Sequence, residues 1–182
     1  MLVNICSILT SIMAKTWKDK DISLAPLKDQ TIAVIGYGIQ GDAQANNMKD
    51  SGLKVIVGLK KGGSSWKKAV SDGHTVMSVS DACKKADIIH VLIPDMIQSQ
   101  VYKDEIGPNL SKGKALCFSH AAAIFWKWID APKNVDIIMV APKGPGSKVR
   151  ETFLENFGTP AIVAVHQDFT GKAWDRTLGI AK

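Results

Sequence analysis

The chain is 182 residues long, with 46% hydrophobic and 22% charged residues and a formal net charge of +6. These values describe an ordinary globular domain and exclude collagen-like, low-complexity and intrinsically disordered classes. The positive charge is dispersed over separate pairs (Lys60-Lys61, Lys67-Lys68, Lys84-Lys85) with no basic run, zinc-finger spacing or RNA-recognition signature, so nucleic-acid binding is only a remote alternative.

Met1–Ile12 is apolar but lacks a basic leader region and a clear small-residue cleavage site, and it is too short to span a bilayer. It is expected to be a poorly ordered extension ahead of a second methionine, Met13, and no membrane partner is expected. Cys6, Cys83 and Cys117 are far apart and show no metal-ligand spacing, as unpaired thiols of a reduced, cytoplasmic protein would. From Thr31 onward strands and helices alternate. Thr31–Ile35 is a β-branched run ending in glycine, Ile39–Asp50 is helical, and Ser51-Gly52 stops it. Lys54–Val57 reads as a strand, Ser65–Ser71 as a helix and Thr75–Met77 as a strand. A short helix follows over Ser80–Lys85, capped by Ser78 or Ser80. Asp87–Ile93 is a buried strand ended by Pro94, and Met96–Ile106 is helical. Strands at Ala115–Phe118, Val135–Val140 and Ala161–Val165 come next, with helices at Val149–Asn156 and Thr170–Lys182. This order predicts one α/β domain over residues 13–182, a doubly wound, mainly parallel sheet with helices on both faces.

Gly36-Tyr37-Gly38-Ile39-Gln40-Gly41 fits G-x-G-x-x-G, directly after a buried strand and at the opening of a helix. In that context the motif predicts a Rossmann-type dinucleotide site. Gly36 makes the turn, Gly38 lets backbone approach the pyrophosphate, and Gly41 lets helix and strand pack closely. Asp42, in the first helical turn, is expected to point away from the phosphates. After the second strand the chain reads Leu59-Lys60-Lys61-Gly62-Gly63-Ser64-Ser65, with no acid to hold ribose hydroxyls. Lysine charge and serine hydroxyls there suit a 2′-phosphate, which favours NADP(H) over NAD(H). His120 follows a strand at the sheet's carboxyl edge, where chemistry occurs in such folds, while His74, His90 and His166 read as structural or surface residues.

With these motifs in hand, the chain resembles ketol-acid reductoisomerase (acetohydroxyacid isomeroreductase). The resemblance rests on AVIGYGIQG at Ala33–Gly41, DSGLKVIVGLKKGGSSW at Asp50–Trp66 and ADIIHVLIPDMIQ at Ala86–Gln98. It continues through FSH at Phe118–His120, APKNVDIIMVAPKGPGSKVRE at Ala131–Glu151 and GTPAIVAVHQDFTGKAW at Gly158–Trp174.

The resemblance implies conversion of 2-acetohydroxy acids to 2,3-dihydroxy acids, in valine and isoleucine biosynthesis, by magnesium-dependent alkyl migration and NADPH reduction. It implies two domains, of which this chain corresponds to the NADP-binding one. The C-terminal helical domain, whose carboxylates hold Mg2+, is absent, so the chain alone is expected to be inactive and to need a helical partner domain or a homo-oligomer. The fingerprint residues Gly36 to Gly41, with Lys60, Ser64, Ser65, Pro94, Asp95, Gln98 and His120, would contact cofactor; His120 and Lys143 would serve catalysis. Ala121-Ala122-Ala123 replaces the family's Gly-Phe-Asn, and Phe125, Ile39 and Asp42 also depart from its pattern. These departures keep open an alternative, a non-catalytic NADP(H)-binding module.

Overall fold

A computed structural model describes residues 15–182. The expectation for Met1–Ile12 lies outside the described residues. Seven strands form one sheet in the order β3-β2-β1-β4-β5-β6-β7. They are β1 (Thr31–Ile35), β2 (Lys54–Gly58), β3 (Thr75–Met77), β4 (Ile88–Val91), β5 (Ala115–Phe118), β6 (Asp136–Pro142) and β7 (Ala161–Gln167). The helices between and after them are α1 (Ile39–Asp50), α2 (Ser64–Ser71), α3 (Val79–Lys85), α4 (Asp95–Val101), α5 (Ala122–Phe125), α6 (Gly146–Leu154) and α7 (Ala173–Ala181).

The central strands β1, β4 and β5 are almost wholly buried and mostly apolar because both faces of the sheet are covered there. In β1, Ile32 and Val34 join a core with Ala45 and Met48 of α1, Ala69 of α2 and Ala173 of α7. The alternate residues Ala33 and Ile35 join the opposite core, with Val79, Ala82 and Cys83 of α3, Tyr102, Ile106 and Ala123. A one-residue register slip would exchange these two sets.

Most boundaries shift by one to three residues from those read in the sequence, and three of the differences have a specific structural setting. The helix expected over Met96–Ile106 is α4 followed by a π-helical turn at Tyr102–Ile106 and a 3-10 turn at Gly107–Asn109. Pro108 cannot donate the next helical hydrogen bond, and the chain tightens there. Strand β4 is shorter than Asp87–Ile93 at both ends: Asp87 lies just before it, its carboxylate accepting the Thr31 amide at 2.8 Å, and Leu92 and Ile93 follow it as the chain leads to Pro94. Strand β7 is longer than expected and pairs antiparallel to β6, with Pro142 opposite Ala161. The link after α6 turns back through Asn156 (φ 57°) and Gly158 (φ 77°), so the chain re-enters the sheet at the end β6 has just left. Only an antiparallel partner can start there.

Candidate functional site

The fingerprint lies where β1 hands over to α1, between β2 and β4. Gly36 has φ 98°, and a Cβ on it would fall 2.8 Å from the Leu92 carbonyl oxygen. A Cβ on Gly41 would collide with the Gly36 carbonyl oxygen. Both positions therefore demand glycine for the turn and for close helix–strand packing. Gly38 is different: no protein atom lies within 4 Å of its added Cβ, and its backbone faces open space. It is also the N-cap of α1 and has no side chain to cap the helix, so the first amides and the positive end of the dipole point outward. These residues fit a dinucleotide pyrophosphate: two glycines build the turn, and the third leaves room for the ligand.

Tyr37 is buried, and its ring faces away from that opening. Its hydroxyl donates to Asp72 at 2.8 Å and accepts from Asn46 at 3.0 Å, so Tyr37 offers the opening only its backbone. Burial, helped by the Asp72 carboxylate, pushes its phenol well above the ordinary range. Asp42 turns toward α2, where Lys68 lies 2.9 Å from it and 2.8 Å from Asp72. Hydrogen bonds to Asp72 and Asp42 hold the Lys68 ammonium above its usual pKa, and the Lys68 bond lowers the Asp72 carboxyl. The awkward acid of the fingerprint is thus paired, as expected for a side chain directed away from phosphate.

On the adenosine side, Gly58 pairs with Ile35, which brings the end of β2 beside the fingerprint. Lys60 and Lys61 are exposed in the loop that follows, Gly62 takes φ 81°, and Gly63 is the N-cap of α2 without a side-chain cap. Ser64 and Ser65 occupy the first turn of α2. The loop gathers a cation, two hydroxyls and uncapped amides, a set suited to a phosphate monoester.

At the other end of the fingerprint a cleft of about 220 Å³ is lined by Gln40, Leu92, Ile93, Asp95, Gln98, Ser119, His120 and Pro142, among others. It brings together Gln40, Asp95, Gln98 and His120 of the expected site. Pro94 is exposed as the N-cap of α4, between Ile93 and Asp95 of that lining. Ile39 stands exposed on the first turn of α1. Lys143 does not line the cleft. It is exposed on the β6–α6 loop, its amide bonded to the Pro160 carbonyl, although Gly144 beside it accepts from Gln40 at 2.9 Å.

Sequence reasoning did not select Gln44 and Ser119. Gln44 donates to Gln40 at 2.9 Å and to Ser119 at 3.2 Å, and Ser119 lies 3.4 Å from His90 Nε2. The signal was the i, i+4 spacing of two glutamines on the inner face of α1. His90 is fully buried, and burial pushes its imidazole down to about 4, so it is neutral. His74 is also buried, against Asn46, and His166 is exposed. Cys83 and Cys117 are buried thiols, Cys83 pushed up to about 12 by burial, which makes them poor nucleophiles. Among the described residues no group of three or more histidine, cysteine or carboxylate side chains could hold a metal ion. No described helix is long and apolar enough to cross a membrane.

The acetohydroxy acid isomeroreductase NADPH-binding domain profile matches residues 26–182. A ketol-acid reductoisomerase (NADP(+)) of Nitrosopumilus maritimus is 85% identical over 170 residues, covering 93% of this chain and 51% of that protein. The corresponding protein of Methanopyrus kandleri is 55% identical over the same length, with 52% of it covered. The solved structure of an NADH-preferring ketol-acid reductoisomerase from an uncultured archaean superposes with a TM-score of 0.86 at 47% identity, over 89% of this chain and 50% of that one. The chain spans about half the length of the curated relatives it matches. Its cradle, its sheet order and its sequence agree: the chain belongs to the family of acetohydroxy acid isomeroreductase NADPH-binding domains.

Proposed function

We propose that this chain is the NADP(H)-binding half of a cytoplasmic ketol-acid reductoisomerase that acts on 2-acetohydroxy acids. The observation that carries this reading is the pairing of an open, uncapped Gly38 turn with a Lys60–Ser65 loop that offers a lysine and two serines and no acid. NADPH, when bound, supplies hydride to the rearranged keto acid. The chain's own task is to hold that cofactor. Gly36, Gly38 and Gly41 shape the pyrophosphate seat. Lys60, Ser64 and Ser65 meet the 2′-phosphate. Gln40, Pro94, Asp95, Gln98 and His120 border the reactive end, with Lys143 on the neighbouring loop.

The resemblance assigns Mg2+ to carboxylates in the half of the relatives that this chain does not span. That half, or a second copy of this chain, is the proposed partner. Met96 (90% exposed), Phe125 and Trp126, on α4 and at the end of α5, are exposed large apolar side chains of the kind a partner would cover.

Calorimetric titration of the chain with NADPH and NADH tests the reading. NADPH is expected to bind tighter by roughly tenfold or more, the worth of one hydrogen bond to a charged group. Equal affinities, or no heat with either, would remove it. Magnesium-dependent turnover is expected only when the helical half is supplied. NADPH binding with no turnover even then is the outcome that the tripled alanine, Ala121–Ala123, favours, and it would mark a binding module instead.

A further inference from the structure

One wall of the cleft is ordered by a chain of hydrogen bonds that starts at backbone. Gln40 donates from Nε2 to the Gly144 carbonyl at 2.9 Å. A carbonyl can only accept, so this bond fixes which way the Gln40 amide faces and leaves its Oε1 toward Gln44. Gln44, 6% exposed, donates from Nε2 to that oxygen at 2.9 Å and to Ser119 Oγ at 3.2 Å. Both protons of the Gln44 amide are then used, and Ser119 Oγ is an acceptor. The orientation passes from Gly144 through two glutamines to one hydroxyl just past the end of β5.

An accepting hydroxyl still has a proton to give. The one other described group that meets Ser119 Oγ is His90 Nε2, at 3.4 Å, longer than the about 2.5–3.0 Å of a hydroxyl hydrogen bond. His90 is fully buried and its Nδ1 has no partner. A proton on Nδ1 would be an orphaned buried donor, which is rarer than an orphaned acceptor, so the histidine proton belongs on Nε2, facing Ser119. Ser119 then accepts from both neighbours, and its own proton is left for the cleft that it lines.

The place of Ser119 selects the ligand. It is half-buried and bonded to α1, the helix that opens at the Gly38 turn, so it belongs to the cofactor side of the cleft. The next residue, His120, is exposed and lies toward α4, against Asp95. In the sheet, β2 and the loop after it lie on one side of β1, and β4 and β5 on the other. A dinucleotide with its 2′-phosphate at that loop and its pyrophosphate at Gly38 extends its nicotinamide toward the tips of β4 and β5. The hydrogen-bond acceptor carried by that ring is the oxygen of its carboxamide. We infer that Ser119 donates a hydrogen bond to the carboxamide oxygen of the nicotinamide, and that Gln44 positions it to do so. The inference rests on the reading that NADP(H) occupies the Gly38 turn.

The test is calorimetric titration of the full chain and of Ser119→Ala with NADPH and with 2′-phospho-ADP-ribose, which keeps the phosphates and lacks the nicotinamide. In Ser119→Ala, NADPH affinity is expected to fall roughly three- to tenfold, the worth of one neutral hydrogen bond, with 2′-phospho-ADP-ribose affinity unchanged. An unchanged NADPH affinity overturns the inference, because the hydroxyl then serves no part of the cofactor. An equal loss for both ligands also overturns it, because Ser119 then only supports the fold. A second measurement needs no variant. Thio-NADP+, in which sulfur replaces the carboxamide oxygen and accepts more weakly, is expected to bind the unaltered chain several-fold less tightly than NADP+. Equal affinities overturn the inference even where Ser119→Ala does not fold. Failure of the cofactor reading looks different: neither NADPH nor 2′-phospho-ADP-ribose gives heat with the unaltered chain, and the inference falls with it.

Discussion

Gly38 and Gly41 lie three residues apart and do different work. A Cβ at Gly41 collides with backbone, so Gly41→Ala is expected to destabilise the fold by about 1–3 kcal/mol, read as a lower urea midpoint. A Cβ at Gly38 meets no protein atom, so Gly38→Val is expected to lower the midpoint only by the loss of a favourable N-cap residue, less than Gly41→Ala does, while abolishing the heat of NADPH binding. If both substitutions lowered stability equally, the open face of the turn would not be a ligand seat. At the adenosine loop, Lys60→Ala is expected to lower the NADPH-to-NADH affinity ratio by about tenfold, the loss of one charge-assisted bond. His90 sets a pH dependence. Its folded-state pKa, about 4, lies below the ordinary value of 6.5, so the unfolded chain binds its proton first as the medium is acidified. The stability tied to neutral His90 is fully present above pH 6.5. It declines as pH falls toward 4, by roughly 3 kcal/mol over the window. Urea midpoints measured across that range should fall, and His90→Met should flatten the decline.

At the scale of elements, caps and turns explain what periodicity left open. Ser78 and Ser80 are both plausible N-caps by residue type. Only Ser78 has the extended backbone (φ −61°, ψ 156°) and accepts the Asp81 amide, at 3.2 Å. Ser78→Ala should therefore cost about 1 kcal/mol, and Ser80→Ala should stay within about 0.5 kcal/mol of the unaltered chain in the same denaturation series. The packing of α6 on α1 also rests on specific side chains. Asn47 donates to the Val149 carbonyl and accepts from Arg150, which also reaches Asp50 at 2.6 Å. Gly146 sits against the backbone of Ile39, so the loop that carries Lys143 is docked on the first turn of the fingerprint helix. None of these contacts has a short-range signature, because each joins residues about a hundred positions apart.

At the scale of the molecule, one buried ion pair ties the last helix to the sheet. Asp136, fully buried at the start of β6, accepts from the Phe169 and Thr170 amides, the Thr170 hydroxyl and Arg176 of α7 at 2.7 Å. Removing the arginine leaves a buried carboxylate without its counter-charge, so Arg176→Leu is expected to cost about 3–5 kcal/mol in denaturant unfolding. A smaller loss would mean that the amide and hydroxyl donors of residues 169–170 suffice for the charge.

The amino-acid sequence by itself determined the strand–helix alternation, the two-sided burial and the glycine turn between β1 and α1. These depend on neighbours within a few residues: side-chain periodicity, backbone freedom and the polarity of a helix end. The tertiary structure alone decided that Tyr37 faces inward, that Asp42 is paired with Lys68, that Gln44 and Ser119 connect His90 to the cleft, and that β7 runs antiparallel. It also placed His120 against Asp95 and kept Lys143 outside the cleft. Each of these depends on the distance between side chains far apart in the chain, and hydrogen-bond distances of about 3 Å are set only when the helices have packed on the sheet.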